Sequence, residues 1–219
     1  MTDSKRDAIF SSIASGLSGD AATRTKAAQD GIADRTRHIR PSRVDLPREQ
    51  LEQLFIDMVQ KAAATVEKLA DRTHIAEAVA RFSQSHDLPS TLRVASDLEI
   101  EEQLAEHGLS TSTGKSQAQD QLSVTGALAG VAETGTLIMA SSPDHPSSLN
   151  FLPDNHIVVL DRATILPCYE DAWDMIRSRD EAWPRTVNWI TGPSRTADIE
   201  QTIQMGAHGP RRLHILLIG

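Results

Sequence analysis

A chain of 219 residues with 39% hydrophobic and 24% charged side chains has material for a buried core, which argues against a disordered chain. Its formal charge of −8, from 22 Lys and Arg against 30 Asp and Glu, argues against general nucleic-acid binding, because an acidic surface gains nothing from counterion release. One cysteine, Cys168, excludes an internal disulfide and a self-contained iron–sulfur cluster of four thiolates, and it suits a reducing compartment.

The first residues, MTDSKRDAIF, contain no apolar run of signal-peptide length, and no uninterrupted apolar stretch follows. A cytoplasmic chain without a membrane span is the expectation. Residues 3–17 predict a short amphipathic helix with Ile9, Phe10, Ile13 and Leu17 on one side. From Gly19 to Pro47 the composition turns to Ala, Thr, Asp and Arg, which predicts an extended arm with little core of its own. The expected organisation is therefore an N-terminal, partly helical arm over 1–47 and a single α/β domain over 48–219.

After Pro47 the apolar residues Leu51, Leu54, Phe55, Met58, Ala62, Val66 and Leu69 recur at helical spacing, and a second helix carries Ile75, Val79 and Phe82. TLRVA (91–95) reads as a strand and LEIEEQLAEHG (98–108) as a helix stopped by Gly108. The second half holds short apolar runs at 136–140, 156–160, 187–191 and 213–219, with helical stretches YEDAWDMIRSR and TADIEQTIQM between them. Strands without clean alternation, separated by helices, predict an α/β fold with a largely parallel sheet flanked by helices.

Three glycine-containing segments are candidates for chemistry. In GVAETGT (130–136), Glu133 lies among small and apolar residues, where a carboxylate is costly unless paired or functional. It suits a nucleophile or general base, or alternatively a helix cap or a structural partner of Arg195. Gly135 would admit a ligand or another backbone. In GPSRTADIE (192–200), Gly192 makes a turn and Ser194 or Thr196 is placed to cap a following helix. The amide groups of that helix start, with Arg195 beside them, suit an anion, although capping is the commonest role of such residues. GAHGP (206–210) is a turn into the last strand with His208 on it. No H-x-H or H-E-x-x-H spacing links His145, His156, His208 and His214, so no metal is expected. The site residues are thus Glu133 as the catalytic candidate, and Thr134, Gly135, Thr136, Gly192, Ser194, Arg195, Thr196, Asp198, His208 and Gly209 as ligand-binding candidates. Glu133, Arg195, Asp198 and His208 are expected to lie close together.

GVAETGTLIMASS, LPDNHIVVL, ITGPSRTADIE and GAHGPRRLHILLIG, in that order, resemble the LUD-domain family, and within it the cluster-free lactate utilization C branch. The resemblance implies a fold of the sugar-phosphate isomerase and CoA-transferase class, and a role in growth on L-lactate beside two iron–sulfur partner proteins. Without cluster cysteines, a flavin fingerprint or G-x-G-x-x-G, no cofactor is expected, and the electrons of lactate oxidation would pass through those partners. The chain would then hold the assembly together or bind lactate or another small anion, with Arg195 as the candidate for the carboxylate. The alternative is a stand-alone enzyme of the CoA-transferase or sugar-phosphate isomerase type, using Glu133 as nucleophile or base.

Overall fold

The computed structural model describes residues 3–17, 20–34, 37, 39–179, 183–197, 203–205 and 209–219. They fall into two units, Met1–Ile39 and Arg40–Gly219. The first contains α1 (Asp3–Gly16) and α2 (Ala21–Asp34). Helix α2 lies where the composition predicted an extended arm. Its alanines are strong helix formers, and Asp20 caps it by accepting the Thr23 amide at 2.9 Å.

The second unit runs α3 (Arg48–Lys61), β1 (Thr65–Leu69), α4 (Ile75–Ser85), β2 (Thr91–Val94), α5 (Glu101–Glu106), β3 (Ser110–Ser112), β4 (Leu122–Gly126), β5 (Ala129–Val131) and β6 (Thr136–Ala140). It continues with β7 (Asn155–Asp161), β8 (Ile165–Leu166), α6 (Tyr169–Ser178), β9 (Val187–Ile190), β10 (Arg195–Ala197), β11 (Ile203–Met205) and β12 (Arg212–Ile218). Six strands form a parallel sheet in the order β1-β12-β7-β4-β2-β3. A mixed sheet, β8-β5-β6-β9, forms beside it. The expected α/β class holds.

Side-chain alternation explains the layers. Ile157 and Val159 of β7, with Leu216 and Ile218 of β12, pack with Ile75, Val79 and Phe82 of α4 and Leu104 of α5. The alternate residues Val158, Leu160, Leu213, Ile215 and Leu217 pack with Leu51, Phe55, Ile56 and Val59 of α3 and with Leu137 and Met139 of the mixed sheet. The far face of the mixed sheet, through Ala129, Val131 and Ile138, is covered by Ala172 and Ile176 of α6.

Two predicted helices are corrected. The apolar spacing from Leu51 to Leu69 is not one helix: α3 stops at Lys61, Ala63 turns at φ +64°, and Thr65–Leu69 pairs with His214–Ile218 as an edge strand. Val66 and Leu69, which a helix would align, face opposite sides of the sheet. The predicted helix TADIEQTIQM is also absent where it is described, because Arg195–Ala197 and Ile203–Met205 pair as antiparallel strands. Thr196 and Ile203 are β-branched and favour extended backbone, and Arg195 is anchored by donating to the Ala62 carbonyl at 2.9 Å.

Candidate functional site

The glycine segments converge on the end of α3. The turn Ala132–Gly135 joins β5 to β6, with Gly135 at φ +67°. A Cβ there would stand 2.5 Å from the Val59 backbone nitrogen, so the close approach that Gly135 permits is to helix α3. Gly192, at φ +74°, repeats the arrangement one turn on, where a Cβ would meet the Ala62 carbonyl oxygen at 2.3 Å. The Ser194 amide donates to the Pro210 carbonyl at 2.8 Å, and Gly209 sits against the Ser194 side chain. Arg195 serves a carbonyl at the end of α3, where cations are favoured by the helix dipole.

Around this turn lies a hydroxyl cluster. Thr136 Oγ1 is 2.6 Å from Thr134 Oγ1, 2.9 Å from the Tyr169 hydroxyl and 2.6 Å from Thr191 Oγ1. Glu133 is not paired with Arg195. Its carboxylate, 12% exposed, accepts from Arg43 Nη2 at 2.5 Å. Thr196 is described through its backbone in β10, and Asp198 and His208 lie outside the described residues. The structure therefore sets Gly135, Gly192 and Arg195 against the end of α3, with Glu133, Thr134 and Thr136 flanking Gly135 and Gly209 against Ser194.

A larger concavity lies at the other end of the β5–β6 hairpin. It is a cleft of about 1160 Å³ beyond the carboxyl ends of β2, β4 and β6, lined by Asp97, Leu98, Gly126, Ala127, Leu128 and Ala140. From the turn at Glu133 it is separated by the five residues of β6, roughly 17 Å of extended chain. The topology explains its position. From β2 the chain moves outward to β3, whereas from β4 it moves inward to β7, so the two strand ends diverge at a switch point, the usual place for a ligand in a parallel sheet.

Hydrogen bonds between loops fix the cleft walls. Ser96 donates from its amide to the Asp144 carbonyl at 3.1 Å and from its hydroxyl to the Asp144 carboxylate at 2.9 Å, tying the β2 loop to the loop after β6. Ser141 accepts the Thr186 amide on its hydroxyl at 2.9 Å, and Ser148 accepts the Ser116 amide at 3.0 Å. Arg72 donates to the Leu98 carbonyl at 3.0 Å. His145, buried, places Nε2 3.0 Å from Asn150 Oδ1. Beneath it the fully buried His156 places Nε2 2.7 Å from Thr125 Oγ1.

The charges follow from this packing. Arg72, Lys115, Arg179 and Arg185 reach the cleft from four segments, and Asp97 contributes a carboxylate. Burial pushes the Asp97 carboxyl up, opposed by His145, and Asp144 adds to the rise. Burial pushes His156 down to about 3, and His145 adds to that shift, so its ring is neutral at physiological pH. The cleft can hold an anion between cationic side chains. The sequence offered one signal for it: SSPDHPSSLN, directly after a strand, is the composition of a structured loop.

Comparison with known proteins places this architecture. The family model described as LUD domain matches residues 49–218, nearly the whole of the second unit. The chain belongs to the LUD domain family. Within that family's reach, an uncharacterized protein of Neisseria meningitidis is 41% identical over 93 residues, covering 42% of this chain and 40% of that protein. Lactate utilization protein C of Bacillus subtilis is 36% identical over 91 residues, covering 40% of this chain and 38% of that protein. These matches thus span about two fifths of the relatives' length. The crystal structure of a DUF162 family protein from Deinococcus radiodurans matches with a TM-score of 0.55 at 19% identity, covering 80% of this chain and 99% of that one. At that identity the likeness speaks to the LUD fold alone. No described helix is long and apolar enough to cross a membrane.

Proposed function

We propose that this LUD-domain chain is a non-redox component of an iron–sulfur L-lactate oxidation system, converting lactate to pyruvate and supporting growth on lactate. The observation that carries the reading is the similarity to lactate utilization protein C. Its lone thiol gives the reading its second half. Cys168 is buried, donates to the Asp171 carboxylate at 3.2 Å, and has burial pushing its pKa up, so it is a packed thiol and not a nucleophile. Two electrons leave lactate, and in this reading they pass to two cluster-bearing partner proteins in the cytoplasm. This chain contributes the anion-binding cleft.

The alternative makes Glu133 the nucleophile of a CoA-transferase or the base of an isomerase. Its carboxylate is held by Arg43, which lowers its nucleophilicity, and it lies at the far end of the hairpin from the cleft. Both features favour the component reading.

A tagged chain recovered from lactate-grown host cells tests the proposal. Co-elution of brown iron–sulfur proteins, with dye-linked L-lactate oxidation by the eluate and none by the isolated chain, is the expected result. A chain that elutes alone, from cells whose lactate oxidation is unchanged by its deletion, overturns it. Glu133→Gln that abolishes an acyl-CoA or sugar-phosphate turnover of the isolated chain would establish the alternative.

A further inference from the structure

We propose that the cleft beyond β2, β4 and β6 is a binding site for a nucleotide-type ligand, an aromatic base carrying two or more phosphates. The proposal rests on the reading of this cleft as an anion site and is independent of the lactate assignment.

Size is the first reason. Small-molecule sites run to about 300–1000 Å³, and this cleft, at about 1160 Å³, lies at or above the upper end of that range. A three-carbon hydroxy acid would leave most of it filled with water. The ligand that matches it has several times as many atoms.

Charge is the second. The protein is acidic overall, at −8. Among the described lining residues, however, Arg72, Lys115, Arg179 and Arg185 carry permanent positive charge, and Asp97 supplies the carboxylate. The cations come from four separate places: the end of β1, the segment after β3, the end of α6 and the approach to β9. A single carboxylate engages one or two such groups. Cations set around a broad mouth match an anion whose charge is spread along its length, as it is in a di- or triphosphate.

The third reason is Trp183. It lines the same cleft beside Pro184 and Arg185 and is 63% exposed, while Trp173 and Trp189 pack against the core beneath α6. An indole left in water at the mouth of a cationic cleft offers the flat face on which a base stacks. A sugar phosphate or inorganic phosphate has no ring to cover it. A nucleic-acid strand would bring the same chemistry, but the net charge of the chain opposes long-range attraction to a polyanion. The position agrees: the cleft stands at the switch point of a parallel sheet, and its walls are already tied together by Ser96, Ser141 and Ser148.

Free nucleotides and coenzyme A share this chemistry, and one titration separates them. The full chain is excited at the red edge of the tryptophan band and titrated in parallel with ADP, coenzyme A, adenosine, inorganic phosphate and L-lactate. The expected result is saturable quenching by ADP or coenzyme A, with the tighter of the two naming the source. Adenosine and phosphate each bind at least about tenfold more weakly. In Trp183→Phe the quenching disappears while calorimetry still records binding. In the double variant Lys115→Ala, Arg185→Ala, both residues being exposed, the dissociation constant rises about tenfold or more. Circular dichroism identical to wild type certifies that both variants fold. The proposal is overturned if neither ADP nor coenzyme A gives quenching or heat up to about 1 mM, or if inorganic phosphate or lactate binds as tightly as they do. Unchanged affinity in the double variant would overturn it as well.

Discussion

Acidification should destabilise this protein through His156. The ring, carried on β7, is fully buried, Nε2 sits 2.7 Å from Thr125 Oγ1 of β4, and burial brings its pKa from 6.5 to about 3. A histidine whose folded pKa is depressed contributes stability that is fully present above about 6.5, and loses it as pH falls from there toward 3, because the unfolded chain takes up the proton first. Between about pH 7.5 and pH 5 the unfolded state gains about 2 kcal/mol from this one group. For a chain of this size that is a fall in Tm of roughly 4 to 8 °C. His214, also pushed down by burial, acts in the same direction, whereas Asp97, pushed up by burial, acts in the opposite one. The quantity to measure is therefore the difference between wild type and His156→Gln, whose amide can still meet Thr125. Urea denaturation at the two pH values should show a slope shallower by about 2 kcal/mol in the variant. Equal losses in the two proteins would refute the assignment of a neutral, buried His156.

Further changes follow from packing and pairing. Gly135→Ala places a Cβ 2.5 Å from the Val59 nitrogen at a positive φ and should cost at least about 2 kcal/mol by chemical denaturation, against a few tenths for Gly108→Ala beyond the strain of its own φ. Phe55→Ala removes a fully buried ring that packs against Gly130, and a loss of about 3 to 5 kcal/mol is expected. Arg43→Ala breaks the pair with Glu133, but Arg43 is 63% exposed, so the stability loss should stay within about 1 kcal/mol. Cys168, 2% exposed with its thiol pushed up by burial, should react with a thiol reagent at neutral pH only as fast as the protein opens, and at once in denaturant.

The strands that form the middle of the fold were legible where they are apolar throughout. HIVVL and LHILLI sit at the centre of the parallel sheet, covered on both faces, and their lack of alternation is what double coverage requires. β4, which borders β7, was not legible although it is equally buried. Its alternate residues Ser123 and Thr125 are polar and lie at 0% exposure, made tolerable by bonds to the Leu149 carbonyl at 2.7 Å and to His156. Alternation of that kind reads at most as a half-buried strand, and nothing local shows that its polar half is buried and satisfied by residues 26 and 31 positions away. β1 was hidden by a different accident. Thr65–Leu69 continues the helical spacing of α3, and the break between them is a left-handed alanine, Ala63, for which composition gives no sign.

The same distinction separates the two ends of the hairpin. Glycines announce themselves, so attention falls on GVAETGT and GPSR, where the positive-φ residues Gly135 and Gly192 are indeed required. What they admit, however, is the backbone at the end of α3, and the side chains around them are already bonded within the protein: Thr134 and Thr136 to Tyr169, Glu133 to Arg43, and Arg195 to the Ala62 carbonyl. The cleft draws most heavily on SSPDHPSSLN, and its cationic side chains share no motif. The cleft's Asp97, Lys115, His145 and Arg185 come from four loops spread over 88 positions of sequence: the first two follow the parallel strands β2 and β3, and the last two sit where the antiparallel pair β6 and β9 of the mixed sheet ends and begins. A site of this kind is specified by topology first and by side chains second. Recognising it from sequence required the strand order, and the strand order turned on β4, whose polar face the sequence concealed.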